Sequence, residues 1–173
     1  MSAQQPNSRQ HYHVGNLAEQ LLSSARTMLE EVGAAKLSMR ALCSALGVTA
    51  TAAYHHFTNR AELLAQLATQ GYLELAEELN EKAVALPVEE KIRGFCLIYL
   101  DFARRNPALY QLMFGPELAF EQMPEHLLNA RQFAFSRLEL MVADLLQQTP
   151  DSPDVRSAAL ASWSYIHGLT SLL

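Results

Sequence analysis

Cysteine is scarce in this chain. Cys43 and Cys96 are the only two in 173 residues, lie far apart and form no CxxC pair. That argues against a disulfide framework or a cysteine zinc site and fits a reducing cytosol. Long apolar runs are also missing. No stretch of about 18 apolar residues occurs, so no membrane-spanning helix and no membrane partner are expected. The opening MSAQQPNSRQHYHV is polar and lacks an apolar core, so a signal peptide is not expected there. No segment alternates with period two, which leaves no strand pattern. HExxH, GxSxG and phosphate-loop motifs are absent, as is any Cys-His pair at a telling spacing. The expectation is therefore no catalytic residue, no cofactor and no metal.

Half of the residues are hydrophobic, enough for a sizeable core. Net charge is −5, but it is unevenly placed. Residues 1–70 carry Arg9, Arg26, Lys36, Arg40 and Arg60 against Glu19, Glu30, Glu31 and Glu62, a balance of +1, and four of the six histidines. The remainder carries the acid. A near-neutral first part permits contact with nucleic acid through a small face, without a strongly basic patch.

Helical spacing predicts the elements. Residues 1–14 read as a disordered tail. A helix over 16–32 has Leu21, Leu22, Ala25 and Leu29 on one face, Asn16 as N-cap and Gly33 past its end. Ser38 caps the next, which carries Met39, Leu42, Cys43 and Leu46 and stops at Gly47, where the turn needs a positive φ. Thr49 caps a short helix over 50–57, and Asn59 caps one over 60–84. Further helices are expected over 88–105 after Pro87, over 107–114 after Asn106, over 124–148 and from about 154 onward. A weaker segment is expected between Gly115-Pro116 and Met123. The last pattern, SYIHGLTSLL, is still running at Leu173, so a further C-terminal helix is expected beyond it. The fold class is all-α, about eight helices with short connections: a helix-turn-helix unit joined to a helical bundle. The expected domains are 15–60 for the first unit and 61–173 for the second.

The stretch 37–64, LSMRALCSALGVTATAAYHHFTNRAELL, has the parts of a helix-turn-helix. Ala53 and Phe57 face inward against the Met39/Leu42/Leu46 face. Ala50, Thr51, Tyr54 and His55 face outward, where a short second helix meets base edges. Thr49 leaves free backbone N–H groups where a phosphate can sit. Tyr54 and His55 are neutral donors, and Arg60 adds a fixed charge. Helix–glycine–helix spacing is common, so Tyr54, His55 and His56 read alternatively as ordinary surface residues. His55 and His56 do not make a metal pair, because adjacent helical residues point about 100° apart. His11-x-His13 is an equally weak metal candidate.

The pattern G-V-T-x-x-x-x-Y-x-H-F-x-N-R-x-E-L-L resembles the TetR family of bacterial transcriptional regulators, and LSMRALCSALGV is similar to that family's second helix and turn. The resemblance spans about residues 15–70. It implies that Thr49, Tyr54, His56 and Arg60 hold phosphates and that Ala50, Thr51 and His55 face base edges, with Ser38 and Arg40 near the backbone or a base. The family often has lysine at Arg60 and commonly a large apolar residue at Ala53. From Ala50 to Phe57 there is no Arg, Lys, Asn or Gln, the side chains that make bidentate base contacts. DNA shape is therefore expected to supply much of the specificity.

In the C-terminal half, aromatics and methionines recur. Most read as core. Tyr99, Phe102, Met113, Phe114, Phe133 and Trp163 are candidates for an apolar effector pocket between helices, with His167 beside them. NPALYQLMF (106–114) and Trp163-x-x-x-His167-Gly168 resemble a C-terminal effector domain of a TetR subgroup named for Trp-His-Gly. It implies a ligand pocket and a helical dimer interface. The combined expectation is a cytoplasmic homodimeric regulator, a repressor that binds a pseudo-palindromic double-stranded operator and is released by a small apolar or aromatic effector. The alternative is a helical small-molecule-binding protein or enzyme without DNA function.

Overall fold

The computed structural model describes residues 17–84, 86–119 and 121–172. The tail expected over 1–14, the His11-x-His13 pair, the Asn16 cap and the continuation beyond Leu173 lie outside these residues.

Every regular element among the described residues is helical. The order is α1 (Leu17–Val32), α2 (Met39–Leu46), α3 (Ala50–Tyr54), α4 (Arg60–Val84), α5 (Val88–Arg105), α6 (Pro107–Phe114), α7 (Glu125–Leu146) and α8 (Pro153–Ser171). Short 3₁₀ turns stand at Ala34–Lys36 and Pro116–Leu118. The second of these is the regular structure among the described residues of the segment expected to reach Met123. The helix expected over 50–57 stops earlier, at Tyr54, and His55-His56 form a turn.

Local chemistry sets the boundaries. Ser38 Oγ accepts from Ala41 N at 3.2 Å, Thr49 Oγ1 from Ala52 N at 3.2 Å and Asn59 Oδ1 from Glu62 N at 2.9 Å. Each satisfies an N–H that the first helical turn leaves without a partner. Gly47 ends α2 at φ 65°, in the left-handed region.

Leu21, Ala25 and Leu29 on α1 are fully buried in one cluster with Leu42 of α2, Ala53 of α3 and Leu64 of α4. Each such leucine stabilises the fold by about 1.5–3 kcal/mol. The small Ala53 side chain leaves α3 packed against both α1 and α2. The central strut is α4, which packs on α1 at one end and on α5, α6 and α7 along its length. At Gly71 it comes so close to α6 that a Cβ there would lie 2.7 Å from Met113 Sδ and 2.8 Å from Leu109 Cδ2.

Candidate DNA-reading head and ligand cavity

α3 stands at the surface on a buried footing. Ala53 and Phe57 are buried, while Ala50, Thr51, Tyr54, His55 and His56 are exposed together with Thr49. Arg40 is exposed on the first turn of α2, and Ser38, half-buried, is occupied as its cap. The expected base-facing side chains, and the phosphate-facing ones at Thr49, Tyr54 and His56, are therefore open to solvent. Lys36, exposed on the 3₁₀ turn before α2, adds a cation close in sequence to Arg40 that the motif had not singled out.

Arg60 is placed differently from a simple surface cation. It is half-buried, its Nε donates to Leu37 O at 2.7 Å, and its Nη2 donates to Ala34 O. The guanidinium thus ties the start of α4 to the connection between α1 and α2. A short-range pattern shows a cation at a helix start; it does not show that the side chain folds back on carbonyls 23 and 26 residues earlier.

The head is joined to the second unit through α1 and α6. The Glu30 carboxylate accepts from Ala108 N at 3.1 Å and Leu109 N at 3.2 Å, capping the N-terminus of α6. Beside it, Arg26 Nη2 donates to Asn106 Oδ1 at 2.8 Å and to Glu74 Oε2 at 3.2 Å. Neither Glu30 nor Arg26 belongs to any motif. The pairing of Arg26 with Asn106 is a contact across 80 residues.

A cavity of about 340 Å³ lies among α4, α5, α7 and α8. Of the seven effector candidates, Tyr99, Phe114 and Trp163 line it, and Tyr72, Phe95 and Phe135 join them. Phe102 and Met113 are core residues instead: both are buried, and Met113 O accepts from the Tyr72 hydroxyl at 2.7 Å. Phe133 lies outside the lining. It is 46% exposed, with the Arg137 guanidinium 4.5 Å over its ring. Phe135, two positions on and so about 200° around the helix, takes the inward place.

His167 stands behind the cavity wall. Trp163 stacks on it at 5.0 Å, and the hydroxyls of Tyr110 and Tyr99 lie 2.7 and 3.0 Å from its Nδ1. The two hydroxyls, themselves 3.4 Å apart, and Nδ1 form one hydrogen-bonded cluster. Burial pushes the Tyr99 hydroxyl far up from its ordinary value, with the Tyr110 hydrogen bond adding to the rise, and burial lifts Tyr72 to about 12. Both stay neutral at physiological pH.

Burial holds the His167 pKa below the ordinary histidine value of 6.5. The unfolded chain therefore takes up this proton before the folded one does. Stability from the neutral ring is present above 6.5 and is lost as pH falls toward the lower folded value. Melting temperature should drop between about pH 7 and pH 5, and the drop should be smaller in His167→Gln. Parallel curves for the two proteins would show that another group sets this dependence.

Among the described residues no group of three or more His, Cys, Asp or Glu is placed to hold a metal ion, and no helix is long and apolar enough to cross a membrane.

Among the described residues, a capped helix-turn-helix stands at one end and a cavity-bearing helical bundle at the other, the architecture of a DNA-binding regulator. Comparison with known proteins gives the same class. Residues 21–67 match the family model described as bacterial regulatory proteins, tetR family, and residues 92–173 match one described as tetracyclin repressor-like, C-terminal domain. The chain is 31% identical over 143 residues to the nucleoid occlusion factor SlmA of Vibrio vulnificus, with 77% of this chain and 68% of that protein covered. A protein of unknown function from Rhodococcus sp. RHA1 superposes with a TM-score of 0.81 at 25% identity, covering 95% of this chain and 85% of the other. The TetR family transcriptional regulator PfmR from Thermus thermophilus shares the fold, at TM-score 0.66 and 21% identity over 87% of this chain and 84% of that one. The chain belongs to the tetR family of bacterial transcriptional regulators.

Proposed function

We propose that this chain is a cytoplasmic, non-enzymatic repressor that binds a pseudo-palindromic operator as a homodimer and is released by a small apolar or aromatic effector. Residues 15–60 form the reading unit in this proposal, and 61–173 bind the effector and the second subunit. Thr49, Tyr54 and His56 grip phosphates, Ala50, Thr51 and His55 face base edges, and Ser38 and Arg40 lie by the backbone. The observation that carries the reading is the joint at Glu30, which ties the head to α6 while Phe114 of α6 lines the cavity. An occupant that favours one placement of α6 shifts the population of heads able to reach two half-sites. Tyr165 and Leu169, exposed on one face of α8 about 40° apart, offer an apolar surface to a second copy. The Trp163–His167 stack agrees with the Trp-His-Gly subgroup.

The test is binding to the DNA flanking the protein's own gene, followed against salt. Lys36 and Arg40 supply four cations per dimer, so log affinity should fall with log salt at a slope of about −3.6, roughly 150-fold between 50 and 200 mM. A slope near zero, or no protected site, would sink the proposal.

The SlmA relatives support a second reading, in which DNA binding serves nucleoid occlusion rather than control of one promoter. Mapping occupied sites on the chromosome separates the two. The repressor reading requires sites at promoters, and sites placed without regard to promoters favour the second.

A further inference from the structure

The cavity is apolar within and charged at one edge. Phe95, Tyr99, Phe114 and Trp163 form its walls, and the side chains of Arg131 and Gln132, adjacent on α7, supply its polar edge. Arg131 is exposed, and among the described residues it has no carboxylate within ion-pair distance. Its hydrogen bond is from Nη1 to Met123 Sδ at 3.6 Å, and a thioether is a weak acceptor. Its charge nonetheless reaches the cavity wall, where it acts on the buried Tyr72 hydroxyl. That hydroxyl already donates to Met113 O, so it has no proton to offer an occupant. A guanidinium with five donors and no acid beside it fits an anionic group, and the aromatic walls fit an apolar body.

We propose that the occupant is a small amphipathic organic anion, its apolar body held among Tyr99, Phe114 and Trp163 and its anionic group on Arg131. The proposal rests on the reading of this cavity as an effector site and names the chemical class that the site takes. A neutral compound of the same shape leaves Arg131 without its partner and binds less tightly.

The test uses two fluorescent probes that share one apolar body. 1-Anilinonaphthalene-8-sulfonate carries an anion, and N-phenyl-1-naphthylamine does not. Each is titrated into the full chain, into Arg131→Gln, and into two cavity-filling variants, Ala134→Leu and Leu128→Trp, with circular dichroism confirming that each variant is folded. Arg131→Gln should weaken the sulfonate by about tenfold or more and the neutral probe by less than about twofold. The filling variants should weaken both. Equal changes for the two probes in Arg131→Gln overturn the anion assignment and leave the cavity reading standing. Unchanged affinities in both folded filling variants show that the probes bind elsewhere, and that overturns the cavity reading and this proposal together.

Discussion

Tyr54→Ala combined with His56→Ala is expected to weaken operator binding by at least about a hundredfold while the melting temperature moves by no more than about 2 °C. Both side chains are exposed, and among the described residues neither makes a side-chain hydrogen bond. Removing them leaves no buried group without a partner, so the folded state loses little. If Tyr54 and His56 each grip a phosphate as proposed, the dimer loses four contacts on DNA. A hydrogen bond to a charged group contributes about 1.5–3 kcal/mol, so even half of that sum exceeds the roughly 2.7 kcal/mol of a hundredfold change. Gel shift gives the affinity and thermal melting checks the fold. Operator binding that survives the double change would mean that Arg40, Lys36 and the backbone N–H groups beside Thr49 hold the DNA without these two residues.

Arg60→Lys is expected to lower the melting temperature by about 3–10 °C and to weaken operator binding by about tenfold. Lysine keeps the positive charge and loses the planar fork. Arg60 reaches Leu37 O through Nε and Ala34 O through Nη2, and an ammonium on a single-point stem cannot take both positions. Losing one such half-buried bond costs about 1.5–3 kcal/mol, and about 1 kcal/mol corresponds to some 2–4 °C at this chain length. The connection that loosens lies between α1 and α2, so the seat of α3 loosens with it. If Arg60 served only to neutralise a phosphate, the lysine variant would melt and bind as the parent does. The same contacts make Arg60→Ala a poor probe of DNA binding, because it disturbs the fold of the head as well as its charge.

The helix boundaries were largely legible because single residues set them. Gly47 at positive φ, the caps at Ser38, Thr49 and Asn59, and the break at Asn106-Pro107 each act within one turn of chain. The outward face of α3 was legible for the same reason: Ala53 buries and its neighbours do not. Arg60 was read as a charge at a helix start, and its engagement with Ala34 and Leu37 depends on a loop shape that no local pattern encodes. The cavity was harder still. Aromatics recur along α5, α6 and α7, so periodicity says that they are apolar and not which of them borders a void. Phe133 and Phe135 carry the same signal in sequence although only Phe135 lines the wall, and Tyr72 and Arg131 sit in no aromatic motif that would mark them.

One helix links the cavity to the head. Leu79 in the cavity wall and Arg60 at the head are 19 residues apart on α4, about 28 Å of continuous helix. A tilt of about 7° pivoting at Leu79 displaces Tyr72 by about 1.3 Å and Arg60 by about 3.4 Å, the rise of one base pair. Mirrored in a second subunit, the reach between two heads changes by about two base-pair steps. A strut of this length that tilts as a rigid body would be a mechanical amplifier: a displacement smaller than a carbon–carbon bond at the ligand end would become a whole unit of operator spacing at the other.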